Sequence, residues 1–257
     1  MRLLIYSDLH NEFEEFVPPV TEKYDVVVLA GDIDLGVRGI EWAADNFERK
    51  PIIFVPGNHE FYCQDGRSIQ SAAAEMRAAA EWHGINLLDP GAVEIMGWRF
   101  IGATLWSDFD LHGELKRAHS MNHAIKLLND YRLIHKDQSD GTRRKITPSD
   151  TRSWFLKERE FLFREIEKGD PTRTIIVTHF VPTTNAIEPR YKGDLLSPAF
   201  VSDLDYEIEQ SGVAAWIFGH SHSCCDFLLG ETCMLSNQRG YPHEPVQGFD
   251  PGLVIEL

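Results

Sequence analysis

The chain has 257 residues, 43% hydrophobic and 25% charged, shares ordinary for a soluble globular protein that forms a sizeable core without disulfides. Its 25 Lys and Arg against 40 Asp and Glu give a formal net charge of −15, which disfavours duplex nucleic acid as a partner because a polyanion is repelled unless cations gather on one face. Cys63, Cys224, Cys225 and Cys233 form no CxxC pair and suggest no secreted disulfide framework, so they read as reduced thiols, and no apolar run nears the length of about 20 residues needed to span a bilayer.

The first apolar run, Leu3–Tyr6, leads directly into Asp8 and His10, so a cleaved leader would remove what reads as functional sequence, and a cytoplasmic protein is expected. Further short, β-rich runs lie at Val26–Ala30, Ile52–Val55, Ile175–Thr178 and Ala214–Phe218, each bounded by turn residues as buried strands should be. Between them, Arg38–Lys50 and Arg67–Trp82 read as helices, the second stopped by His83-Gly84. Thr147-Pro148-Ser149-Asp150 opens a third helix, with a cap residue, a proline at the first helical position and an acid in the first turn; it ends near Lys168-Gly169. Met96-Gly97 and Gly230-Glu231 read as hairpin turns, which makes the sheets mixed. Strands alternating with helices predict an α/β architecture, with residues 1–257 as one domain.

The segment 111–145 reads as a polar, helical insertion. Between Leu115 and Thr147 it holds eight Lys or Arg against three acids, a local charge of +5. It is either a lid over a site or a solvated helical face.

The most informative regularity lies at the strand ends, each of which delivers ligand-type residues: Asp8 and His10, then Gly31-Asp32, Gly57-Asn58-His59-Glu60, His179, and Gly219-His220-Ser221-His222. In open α/β sheets the carboxyl ends of strands converge on the ligand crevice, so these distant residues are predicted to meet. Taken singly, an aspartate after a strand is more often a turn former and a lone histidine a hydrogen-bonded interior residue; the set reverses that reading. Imidazole, carboxylate and amide oxygen without thiolate suit Mn, Fe, Zn, Co or Ni. Seven ligands are too many for one tetrahedral ion, and they fit two divalent ions about 3.5–4 Å apart, the spacing that clamps the oxygens of a phosphoryl group.

The ordered blocks Asp8-x-His10, Gly31-Asp32, Gly57-Asn58-His59-Glu60, His179 and Gly219-His220-x-His222 resemble those of the calcineurin-like metallophosphoesterases. The resemblance implies two packed mixed β-sheets flanked by helices, an αββα sandwich. It also implies that Asp8, His10, Asp32 and His222 hold one ion, that Asp32, Asn58, His179 and His220 hold the other, and that Asp32 bridges them. His59 matches the family's non-ligand histidine beside the leaving group, which implies a general acid while a metal-bridging hydroxide attacks phosphorus. The phosphoprotein phosphatases of this superfamily carry an acid and an arginine after the bridging aspartate and an arginine before the Gly-Asn-His block. This chain has Leu35, Gly36 and Pro56 there, and Asp34 falls one place early. The expected substrate is therefore a small phosphodiester or phosphomonoester.

Arg239 is the leading candidate for a substrate contact, with a surface arginine or one tying down a loop as the competing reading; Arg143 and Arg144 of the basic segment are further candidates, against the reading of a solvated helical face. The competing functions are a nuclease acting on single strands and a metal-binding regulatory module that has lost catalysis.

Overall fold

The computed structural model describes residues 1–20, 23–47, 50–63 and 66–257. The first half of the chain forms β1 (Arg2–Tyr6), β2 (Val26–Ala30), α1 (Arg38–Asn46), β3 (Ile52–Val55), α2 (Ile69–His83), β4 (Asn86–Leu87), β5 (Gly91–Ile95) and β6 (Trp98–Ala103). The middle forms α3 (Glu114–Leu127), α4 (Asp130–Leu133), β7 (His135–Asp137), β8 (Arg143–Lys145) and α5 (Pro148–Ile166). Then come β9 (Thr174–Thr178), α6 (Asp205–Ser211), β10 (Ala215–Ile217), β11 (Cys225–Leu229), β12 (Thr232–Ser236) and β13 (Val254–Glu256).

Two mixed sheets result. One has the order β13-β1-β2-β3-β4 and the other β11-β12-β10-β9-β6-β5. In the first, β1 to β4 are parallel and only β13 is reversed. In the second, β6, β9, β10 and β12 are parallel, and the outer strands β5 and β11 return antiparallel through the two predicted hairpins. The Met96-Gly97 turn has positive φ at both residues, 53° and 77°, the geometry that matches the twist of a two-residue hairpin.

The inner strands β2, β3, β9 and β10 are buried along their whole length because both of their faces are covered. Alternate residues Leu3, Ile5, Val28 and Val55 of one sheet pack against Phe100, Val177 and Ile217 of the other, forming the layer between the sheets. Their neighbours Leu4, Tyr6, Leu29, Ile101, Ile176 and Trp216 join Ile40, Trp42, Met76, Phe155 and Leu162 of the helices in the outer core. A strand with period-two side chains thus serves two apolar layers at once. The sandwich is two mixed sheets flanked by helices.

Local capping explains the helix limits. The Ser68 side chain accepts from the Ser71 amide at 3.2 Å, so α2 starts at Ile69, and Gly84 ends it in the left-handed conformation at φ 70°. Thr147 and Asp150 form a reciprocal capping box at the start of α5. Helix α1 is shorter than expected, ending at Asn46, because Phe47 leaves helical geometry and buries its ring against Trp42 and Tyr6. Glu48 and Arg49, within the predicted helix, lie outside the described residues.

The expectation of a wholly helical 111–145 segment needs correcting. It holds α3 and α4 but then folds into the hairpin β7-β8, in which His135 pairs with Lys145 and Asp137 with Arg143. Its strands, His-Lys-Asp and Arg-Arg-Lys, give that hairpin no apolar period for a sequence reading to detect.

The closed layer between the sheets yields a stability test. Phe100→Ala, at a position with no exposed surface, is expected to cost about 3–5 kcal/mol in urea unfolding.

Candidate metal centre

Each ligand-type residue sits just beyond a parallel strand. Asp8 and His10 come after β1, Asp32 after β2, Asn58 and His59 after β3, His179 after β9, and His220 and His222 after β10. Parallel strands put those ends on one edge of each sheet, and hydrogen bonds stitch the loops together. The amide of Asp8 donates to the Gly31 carbonyl at 2.9 Å and that of His10 to the Asp32 carbonyl at 3.0 Å. Across the two sheets, the His220 amide donates to both Asp8 carboxylate oxygens at 3.0 Å.

The backbone is strained at the same residues. Asp8, His10, Asp32, His220 and His222 all have φ between 49° and 72°, a region that few residues other than glycine occupy. Each such residue costs on the order of 1–3 kcal/mol and persists only where its surroundings over-determine it. Five of seven candidate ligands share this strain, which concentrates it on the site and not on the fold at large. Gly57 shows how closely the loops approach: a Cβ there would lie 2.7 Å from the Asp32 amide nitrogen and would collide with its carboxylate.

The side chains gather into two contiguous lobes. Asp8, His10 and His222 offer atoms within 4.8 Å of one another, as do Asp32, His179 and His220, and a third set of His10, Asp32 and His59 joins the lobes. Asp32 and His10 thus stand at the junction.

The donor chemistry fits bound cations. His179 Nδ1 lies 2.9 Å from the Ala30 carbonyl, which can only accept, so Nδ1 carries a proton and Nε2 is left to face the other candidate ligands. Nε2 faces Asn58 Oδ1 at 3.1 Å, Asp32 Oδ2 at 3.5 Å and His220 Nδ1 at 3.1 Å. Asn58 cannot turn its amide round, because its Nδ2 donates to Asp130 at 2.9 Å and to the Tyr62 hydroxyl at 3.0 Å. In the other lobe His10 Nδ1 donates to Glu12 at 3.2 Å, which leaves His10 Nε2 facing His222 Nε2 at 3.0 Å. Carboxylate and amide oxygens and imidazole nitrogens converge there, and once the imidazoles give up their protons a divalent cation matches this set. Burial and the neighbouring His179 hold the His220 imidazole neutral, well below its usual pKa, as a ligand must be. Phe180 and Phe200 lie against its ring, with centroids at 3.9 and 4.7 Å.

His59 stands beside the lobes with its ring oriented by a carboxylate that the sequence pattern left without a role. Glu12 Oε1 accepts from His59 Nδ1 at 2.7 Å, while His59 Nε2 points back toward Asp32 Oδ2 at 3.9 Å. Burial opposes ionisation of both partners, yet the hydrogen bonds from His10 and His59 hold Glu12 down at about 2, and Asp32 and Glu12 raise His59 to about 9. Asp34, which falls one place early in the sequence pattern, pairs with Arg38 at 2.5 Å. Glu12 sits two residues beyond His10, and that i, i+2 spacing is the signal a sequence could offer.

The candidate arginines fall elsewhere. Arg239 donates to the carbonyls of Leu9 at 3.1 Å and Glu14 at 2.6 Å and pairs with the Glu14 carboxylate at 3.0 Å, so it ties down the loop after β1. Arg143 pairs with Asp137 and Arg144 with Asp150, on β8. None of the three lines the cleft of about 870 Å³ that opens beside Asp32, Asn58, His59 and His220. The inserted segment reaches that cleft through Leu127, Leu128, Asn129 and Asp130, not through its cations.

A helix-flanked pair of mixed sheets, with His, Asp and Asn side chains converging from five strand ends, defines a metallophosphoesterase class of protein. The sequence profile of the calcineurin-like phosphoesterases matches residues 1–224, and the chain belongs to that family. It is 30% identical to an uncharacterized protein of Acanthamoeba polyphaga mimivirus, over 100% of this chain and 97% of that one. The crystal structure of phosphopantetheinyl hydrolase from Mycobacterium tuberculosis superposes with a TM-score of 0.70 and 17% identity, covering 94% of this chain and 90% of that one; this likeness is one of fold. Divalent metals are typical of the family, and the His/Asp clusters are placed to hold them.

The close packing of loops at Gly57 gives a test of the centre. Gly57→Ala is expected to displace Asp32 and lower metal affinity at least about tenfold, measured by competition with a chromophoric chelator; unchanged affinity would show that the loops are not tightly fixed.

Proposed function

We propose that the protein is a two-metal phosphoesterase that hydrolyses a small phosphodiester or phosphomonoester, with His59 as general acid. The reading is carried by His179 Nε2, which faces Asn58 Oδ1, Asp32 Oδ2 and His220 Nδ1 in a buried site with His59 alongside. Asp8, His10, Asp32 and His222 would hold one ion, and Asp32, Asn58, His179 and His220 the other. Two divalent ions there would supply positive charge for the phosphoryl oxygens and activate water at neutral pH.

The chain's own residues account for the remaining steps. Asp32 lies between the lobes, and its Oδ1 accepts the His59 amide at 2.8 Å, so the same carboxylate fixes the ligand set and the acid. Glu12 takes the Nδ1 proton of His59 as a hydrogen bond, which leaves Nε2 to deliver a proton to the leaving oxygen. Tyr62 lies over the His59 ring at a centroid distance of 4.3 Å, and the Tyr241 hydroxyl is 3.4 Å from Nε2, so the ring is held from three sides.

Metal analysis with turnover on activated aryl esters tests the reading. About two ions per chain and turnover abolished by Asp32→Asn are expected, while His59→Ala should retain metal and slow esters with poor leaving groups by about 10²–10⁴-fold, far more than aryl esters. Equal losses on both ester types would remove the acid role.

The pH profile gives a separate check on Glu12. His59 is raised by its carboxylates, so its acid form persists below its pKa and is lost as pH rises through it. Glu12→Gln removes one raising charge, and the alkaline limb of kcat/KM should move down by about one pH unit with metal content retained.

A further inference from the structure

We infer that the cleft selects esters carrying a single phosphate on an uncharged, apolar arm, an inference that rests on the phosphoesterase reading above. The arm has a place to lie. Leu127 and Leu128, at the end of α3, form one apolar wall, and Ile187, Leu196 and Phe200 from the loops after β9 form another, both opening onto His220 and Asn58.

The charges beyond the centre argue the same way. Glu188, Asp194 and Glu244 line the cleft, and Arg190 is its one Lys or Arg among the described residues. That guanidinium is already engaged, paired with Glu188 at 2.8 Å and lying over the Tyr191 ring at 4.7 Å. Proteins that hold a second phosphate or a nucleic-acid backbone do so with Arg and Lys. Here a second phosphate would meet carboxylates instead, so polyphosphates and nucleic acid strands are rejected electrostatically while an apolar arm gains by leaving water. The basic residues Arg143 and Arg144 do not soften this, being paired on the β7-β8 hairpin.

Calorimetric binding of methylphosphonate, hexylphosphonate and hexane-1,6-bisphosphonate to metal-reconstituted protein tests the inference without requiring turnover. Hexylphosphonate should bind at least about tenfold tighter than methylphosphonate, since each buried methylene adds a several-fold factor when fully covered. The bisphosphonate, of the same length with a distal anion, should bind at least about tenfold weaker than hexylphosphonate. Ile187→Asn should erase about threefold or more of the hexyl advantage, and Glu188→Gln with Glu244→Gln should narrow the bisphosphonate penalty by a similar factor. Both variants should leave methylphosphonate binding unchanged, which also reports that they are folded.

Equal affinity for methyl and hexyl ligands, or a bisphosphonate that binds as tightly as hexylphosphonate, overturns the inference. Turnover of aryl esters is scored separately. A flat binding series with turnover intact overturns the ligand class alone, whereas an intact series without turnover supports the ligand class and removes the phosphoesterase reading.

Discussion

Everything at the site depends on keeping the Asp32 carboxylate ionised in a place with almost no water. An isolated buried carboxylate would take up a proton or cost many kcal/mol, so its neighbours must supply compensation. Burial works against it, but the imidazoles of His179 and His59 hold Asp32 well below the ordinary carboxylate range. Its Oδ1 accepts the His59 amide, its Oδ2 faces His179, and its own amide donates to Glu60 at 2.9 Å. The positive φ of 54° at Asp32 is tolerated because these contacts leave the residue no other arrangement.

Glu60 extends that constraint through the backbone. Its carboxyl accepts from the amides of Asp32, Ile33 and Gly57 at 2.9, 2.8 and 2.6 Å, so the loops after β2 and β3 are bound to one buried group. Asn58 and His59 come directly after Gly57, and their positions inherit this fixation. Tyr62 and Asp130 then set the orientation of the Asn58 amide. A metal site with fixed outer partners needs little reorganisation when it acts, which is the physical value of such support.

Charge is partitioned around this centre. The chain is acidic overall, yet its positive residues do not collect at the cleft; in the inserted segment Lys136, Arg143 and Arg144 pair with Asp137 or Asp150 and Arg117 with Asp110, and Arg239 closes a loop. Positive charge at the reaction centre is left to imidazoles and to the ions the ligands suit.

The sequence by itself determined the strand ends, the hairpins, the capped helices and the seven candidate ligands. Those signals are local: an apolar run and its turn, a capping pair, or a ligand type set directly after a strand. It left open whether any carboxylate serves His59, since Asp34 falls one place early, and only the turn after β1 brings Glu12 Oε1 to 2.7 Å from that ring. It likewise offered Arg239, Arg143 and Arg144 as candidates because exposed cations look alike in sequence, and tertiary pairing decided where each is used. The contribution of Asp130 to Asn58 spans 72 positions, and no local pattern announces it. Side chains that act on neighbours in the chain are legible in a sequence; those that act across the fold become so only when the sheets close and fix their distances.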